Sequence, residues 1–154
     1  MFMAMEHIWM KGRYMNRCIF EFSKFGDYPA LISSDETVTY SQMNYIVELL
    51  REVFESKNLI FQICTNTVGS IAGYAAFINL YQVPLLLDAY VKEEAIRLLI
   101  NKYRPEYIYI PEYMVNEYDD CIVVKRIYDY ILLKSNCIHE DNINPDLALM
   151  LSTS

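Results

Sequence analysis

Two apolar patterns alternate along the chain. The runs at residues 59–64 (LIFQIC), 83–88 (VPLLLD) and 107–111 (YIYIP) are apolar on both faces. They read as strands covered on two sides. Between them apolar residues return at helical spacing. Tyr45, Ile46, Leu49, Leu50, Val53 and Phe54 alternate with Glu48, Arg51, Glu52 and Glu55. Thr39 and Gln42 stand three apart ahead of this stripe, the spacing of a capping box. The helix is expected to end near Lys57-Asn58. A second helix is predicted from Val68 to Tyr81, with Thr65-Asn66-Thr67 as its cap. Its Gly69, Ala72, Gly73, Ala75 and Ala76 favour close packing on a sheet. A third, from about Lys92 to Tyr103, carries Ala95, Ile96, Leu99, Ile100 and Tyr103 on one stripe. Glu93 and Glu94 start it and Lys102 and Arg104 close it, matching the helix dipole. Pro105 stops it.

The flanks are less regular. Ala30–Ser33 and Thr37–Tyr40 bracket the turn-like Ser34-Asp35-Glu36 and predict a small hairpin. A short helix is predicted over Tyr113–Tyr118. CIVVKRI and YDYILLKS follow as β-prone runs, and a last strand is predicted over LALMLSTS, residues 147–154. Strands alternating with helices imply β-α-β units. The expected fold class is α/β: a mostly parallel, doubly wound sheet with helices on both faces. Residues 1–27 read as an irregular or helical segment, and residues 28–154 as one α/β lobe.

Charge narrows the partners. Thirteen basic against 20 acidic residues give a net charge of −7. That argues against nucleic acid, which demands a basic stripe. Tyr103, Tyr107, Tyr109, Tyr113, Tyr118, Tyr128 and Tyr130 could stack bases, but Glu106, Glu112, Glu117, Asp119 and Asp120 oppose a phosphate backbone. These tyrosines are expected in the core or at a lobe interface. Cys18, Cys64, Cys121 and Cys137 form no C-x-x-C pair, and only His7 and His139 could join them. Free thiols are expected, with no metal site. No secretory signal stands at the start. The longest apolar stretch, Ile71 to Leu87, is broken by Asn79, Gln82 and Pro84, so no membrane span is expected. A cytoplasmic protein is the expectation.

Three segments in order resemble the adenylate-forming superfamily of acyl-CoA synthetases, amino-acid adenylation domains and D-alanine–carrier-protein ligases. PALISSDETVTYSQMN, residues 29–44, is similar to the family's opening strand, turn and helix start. Leu59 to Asp88, ending FINLYQVPLLLD, resembles its strand–helix–strand segment. Asn79, Leu80, Tyr81 and Gln82 stand where the family usually has Lys-Ala-Gly, which questions the close turn there. DLALMLSTS, residues 146–154, resembles the strand entering the phosphate loop, usually Thr-Ser-Gly-(Ser/Thr)-Thr-Gly-x-Pro-Lys.

The resemblance implies an enzyme that joins a carboxylate to the α-phosphate of ATP, with Mg2+. The acyl group would then pass to a thiol of CoA or a carrier protein. Carried over residue by residue, Ser152, Thr153 and Ser154 are the members of the ATP phosphate loop present. Without the loop's glycines and lysine these residues are expected to be inactive alone, with no cofactor bound. The expected partner is the remainder of a ligase, or a second copy meeting an exposed apolar face. Asp88 could be read as a phosphate acceptor, but Cys64-Thr65-Asn66 stands where such a site wants an acidic pair; a structural role in the next turn is expected. The rival reading is a small non-catalytic α/β protein-interaction domain.

Overall fold

A computed structural model describes residues 19–137 and 143–151. A hairpin of β1 (Pro29–Ile32) and β2 (Thr37–Thr39) precedes a six-stranded sheet. The sheet comprises β3 (Leu59–Cys64), β4 (Val83–Asp88), β5 (Tyr107–Pro111), β6 (Ile122–Ile127), β7 (Tyr130–Lys134) and β8 (Met150–Leu151). Their order is β6-β7-β5-β3-β4-β8. β5, β3, β4 and β8 run parallel, and the β6–β7 hairpin joins β5 antiparallel. The sheet is thus mostly parallel, as its unbroken apolar strands require. Among the described residues, no helix is long and apolar enough to cross a membrane.

Alternation along the strands builds two cores. Ile60, Tyr107, Tyr109, Tyr130 and Leu132 face α1 (Tyr40–Arg51) and α2 (Val68–Asn79). Leu59, Phe61, Ile63, Ile108, Ile110, Ile131 and Leu133 face α3 (Glu93–Tyr103) and a 3-10 helix, Glu112–Tyr118. A one-residue slip would exchange the two sets, so register is tightly specified. Asn58 and Gln82 help set it. Both are buried, and Gln82 Oε1 accepts from the Asn58 backbone N–H at 2.8 Å, just before β3 and β4 begin side by side. At the front, the 3-10 helix Phe22–Phe25 sends Phe22 into the first core, where it meets Tyr40.

Several local readings hold. Thr39 Oγ1 accepts from the Gln42 N–H at 3.2 Å and Gln42 Oε1 from the Thr39 N–H at 2.8 Å, the predicted capping box. β3, β4 and β5 occupy the predicted residues. Tyr107, Tyr109, Tyr118 and Tyr130 are buried, whereas Tyr113 is exposed.

Other readings need correction. α1 ends at Arg51, not near Lys57-Asn58. Phe54 turns inward beyond the helix end, edge-on to Phe77 and Tyr107, and the chain must then turn to start β3. The buried stripe of α1 is Met43, Ile46, Val47 and Leu50, leaving Tyr45 exposed. α2 stops at Asn79. The close turn that follows forms without glycine, Tyr81 taking φ 57°. Thr67 is the N-cap of α2 by position, but its side chain makes no capping bond. The last strand is β8, Met150–Leu151; residues 147–149 are not strand, and Ser152, Thr153 and Ser154 lie outside the described residues.

Candidate functional site at the carboxyl edge of the sheet

From β3 the chain crosses through α2 to β4. From β4 it crosses through α3 to β5, on the far side of β3. The connections therefore leave β3 and β4 toward opposite faces. Doubly wound folds place ligands in the crevice that such a reversal opens at the carboxyl ends of strands. Cys64 and Asp88 are register partners at these ends.

The β3–α2 turn is organised by residues distant in sequence. The Tyr130 hydroxyl donates to the Ile63 carbonyl at 2.8 Å and accepts from the Thr65 N–H at 3.1 Å. It also lies 2.7 Å from Thr65 Oγ1, which lies 3.1 Å from Thr67 Oγ1. Asp129 accepts from the Gly69 N–H at 3.1 Å. The amino end of α2 is thus capped by a carboxylate from the β6–β7 turn, which satisfies an orphan N–H and complements the helix dipole. With that carboxylate in place, this helix end is filled rather than open to an anion. Burial pushes the Tyr130 phenol up, so it remains a neutral hydrogen-bonding group.

Asp88 closes its own turn. Its carboxylate accepts from the Tyr90 N–H at 2.8 Å and its carbonyl from the Val91 N–H at 3.1 Å. This is the structural role read from the sequence. Burial, with the Asp88 charge as a smaller cause, raises the Cys64 thiol, so it is no activated nucleophile. Among the described residues no cluster of His, Cys, Asp and Glu could hold a metal.

The remaining approach to this edge is β8. It lies parallel against β4, with Met150 beside Leu85 and Leu151 beside Leu86. Its carboxyl end points to the same edge as Cys64 and Asp88. Ser152, Thr153 and Ser154 follow Leu151 in sequence but lie outside the described residues. Sequence reasoning did not place Asp129 or Tyr130 here, because only the antiparallel return of β7 onto β5 carries them to this edge.

Solved structures share this backbone. It is similar to the Vibrio cholerae adenylation domain AlmE, in complex with glycyl-adenosine-5'-phosphate. The TM-score is 0.54 at 14% identity, over 62% of this chain and 18% of that one. The nonribosomal peptide synthetase FmoA3, in an AMPPNP-bound form, gives 0.54 at 15% identity over 62% and 11%. IdnL1 gives 0.56 at 9% identity, over 91% of this chain and 32% of that one. The chain therefore spans a third or less of each of these proteins. No protein-family model matches it, and no curated protein does. At such identities the likeness is one of fold: the chain has the fold of the N-terminal portion of adenylate-forming enzymes.

Proposed function

We propose that residues 28–154 form the first α/β lobe of an AMP-forming ligase. The intact enzyme would activate a carboxylic acid with ATP and Mg2+ and pass the acyl group to a thiol of CoA or a carrier protein. One observation carries the reading. The strand that precedes Ser152, Thr153 and Ser154 lies parallel beside β4, directed at the crevice edge of a sheet whose fold is that of adenylation enzymes. Hydroxyls and backbone N–H groups entered from such a strand suit a phosphate cradle. ATP, when bound, supplies the phosphorus that the carboxylate attacks and pyrophosphate as leaving group. The part of this chain would be to hold phosphate oxygens through these three hydroxyls. Asp88 and Tyr130 keep the flanking turns rigid.

Residues 1–154 alone are proposed not to turn over. Three hydroxyls without further positive donors supply too little stabilisation for phosphoryl chemistry. The proposed partner is the remainder of the ligase. Leu151 is 66% exposed, and its register partner Leu86 is half-buried on the same face. Without that partner, this edge would favour self-association.

The test begins with the coding sequence after Ser154, where a Gly-(Ser/Thr)-Thr-Gly-x-Pro-Lys continuation is expected. The longer product should show acid-dependent ATP–pyrophosphate exchange across a panel of carboxylic acids. Residues 1–154 should show neither exchange nor saturable heat with ATP and Mg2+. A longer product that exchanges with no acid would sink the ligase reading. Tight nucleotide binding by residues 1–154 would sink the claim of incompetence.

A further inference from the structure

Where β3 and β4 begin, the Asn58 N–H donates to Gln82 Oε1 at 2.8 Å and the Val83 N–H to the Asn58 carbonyl at 2.9 Å. Lys57, one residue earlier, carries this polar brace to a third segment. Its Nζ donates to the Pro145 carbonyl at 2.6 Å and to the Asn144 carbonyl at 3.3 Å, across 88 and 87 positions of chain. These carbonyls belong to the turn from which the chain runs into β8. Asn144-Pro145-Asp146-Leu147 is a β-turn with asparagine first and proline second, the residues such a turn favours. The Leu147 N–H donates to the Asn144 carbonyl at 3.1 Å, and the Asp146 N–H to Asn144 Oδ1 at 2.9 Å.

β8 has little with which to set its own position. Among the described residues, only Met150 and Leu151 pair with β4. Ile143, Leu147 and Met150 pack against the second core, but apolar contact is non-directional and fixes depth rather than register. A slip of one residue would move everything after Leu151 by about 3.3 Å and turn each side chain to the other face. The Lys57 bonds are directional. They hold Pro145 in place five residues ahead of Met150, and so fix the point from which β8 starts. Burial lowers the Lys57 ammonium below its ordinary value, and the Asp146 charge opposes this. A half-buried ammonium is retained where carbonyls and a carboxylate receive it.

We propose that Lys57 is a positioning residue: its ammonium sets the register of β8 on β4 and, through β8, the place of Ser152, Thr153 and Ser154 at the crevice edge. It acts from the amino end of the sheet, opposite the edge where Cys64 and Asp88 stand. Lysine suits the task, since one ammonium has three donors on a flexible stem and serves two adjacent carbonyls at once. For its functional consequence the inference rests on the ligase reading. The two fail separately. Pyrophosphate exchange in a longer product decides that reading, and the behaviour of β8 in residues 1–154 decides this one.

The experiment is native-state amide hydrogen exchange on residues 1–154, read by NMR at neutral pH. Lys57→Met keeps the apolar stem and removes the ammonium. Protection across Met150–Leu151 should fall about tenfold or more, while Phe61 and Ile63 in β3 stay within about twofold of the parent. Nuclear Overhauser contacts from Met150 to Leu85 and from Leu151 to Leu86 should weaken with it. Lys57→Arg, which still donates to carbonyls, should recover most of the loss. Unchanged protection of β8 in Lys57→Met would overturn the proposal. An equal loss in β3 would do the same, by making Lys57 a general stabiliser. An arginine variant no better than the methionine one would refute the donor role, and a parent without protection at Met150 and Leu151 would refute the docking itself.

Discussion

The Asp129 carboxylate caps α2 by accepting from the Gly69 N–H at 3.1 Å, although the two residues stand 60 positions apart. A helix that lacks a capping side chain of its own borrows one from a hairpin turn across the sheet. Gly69 must be small for this: a Cβ there would run into the Asp129 carboxylate, the Tyr130 ring and the Ile127 carbonyl. Gly69→Ala is predicted to cost about 1–3 kcal/mol through this overpacking. Asp129→Ala should cost about 0.5–2 kcal/mol through the lost cap. Urea denaturation of both variants measures this; midpoints equal to the parent's would show that the cap carries no stability.

Gly73 makes a second close approach. A Cβ on it would overlap the buried Tyr109 ring, whose hydroxyl donates to the Gly69 carbonyl at 2.8 Å. Gly73→Ala is predicted to destabilise by about 1–3 kcal/mol. Combined with Tyr109→Leu, its additional cost should shrink, because the clash leaves with the ring. A double-mutant cycle measures that coupling, and strict additivity would refute the contact.

Arg104 ends α3 in the left-handed region, with φ 45° and ψ 60°, and donates its N–H to the Ile100 carbonyl at 2.8 Å. Its side chain is exposed. A Cβ is strained in that conformation and glycine is not. Arg104→Gly should raise stability by about 0.5–1 kcal/mol, read as a higher urea midpoint at unchanged slope. A lowered midpoint would mean that the arginine side chain outweighs the strain.

Alkaline pH should unfold the protein progressively. Burial, with Asp120 next in weight, raises the Cys121 thiol from 9.0 to about 11, and burial first among its causes raises the Tyr118 phenol from 10.0 to about 12. Below the ordinary value of 9.0 both groups are protonated in folded and unfolded chains alike, and their contribution is fully present. Above it the unfolded chain releases protons that the folded chain keeps. Stability is therefore lost as pH rises, first through Cys121 and then through Tyr118. The melting temperature should fall steadily from about pH 9 to about pH 12, and Tyr118→Phe should flatten the upper part of that fall. A melting temperature constant over this range would contradict the burial of both groups.

Much of the fold was legible because its signals are local. β3, β4 and β5 are runs whose every face is covered, and Thr39 with Gln42 is a pair three residues apart. Where one signal persisted past its cause, the reading went too far: Val53 and Phe54 continue the helical period of α1, but Phe54 reaches the core from beyond the helix. The β6–β7 hairpin hid its turn, since Tyr128, at φ 53°, occupies a conformation usually announced by Asn or Gly. The carboxyl-edge network was illegible for another reason. Asp129 and Tyr130 meet Gly69 and Thr65 only once β7 has paired with β5, and no spacing in the sequence encodes that meeting. The loop hydroxyls Ser152, Thr153 and Ser154 were named from resemblance alone.

The pairing of β8 with β4 has a consequence in time as well as in space. β3, β4 and β5 are joined by short crossovers, whereas β8 reaches β4 only after the whole intervening chain has folded back, and only Leu85 and Leu86 receive it. Closing so long a loop for so few contacts makes β8 the last strand to dock and the first to fray. Pulse-labelled amide exchange should therefore find Met150 and Leu151 protected later than β3 during refolding. Whatever follows Leu151 would be presented at the crevice only while β8 is docked on β4, which makes that presentation hang on the pairing of two residues with Leu85 and Leu86.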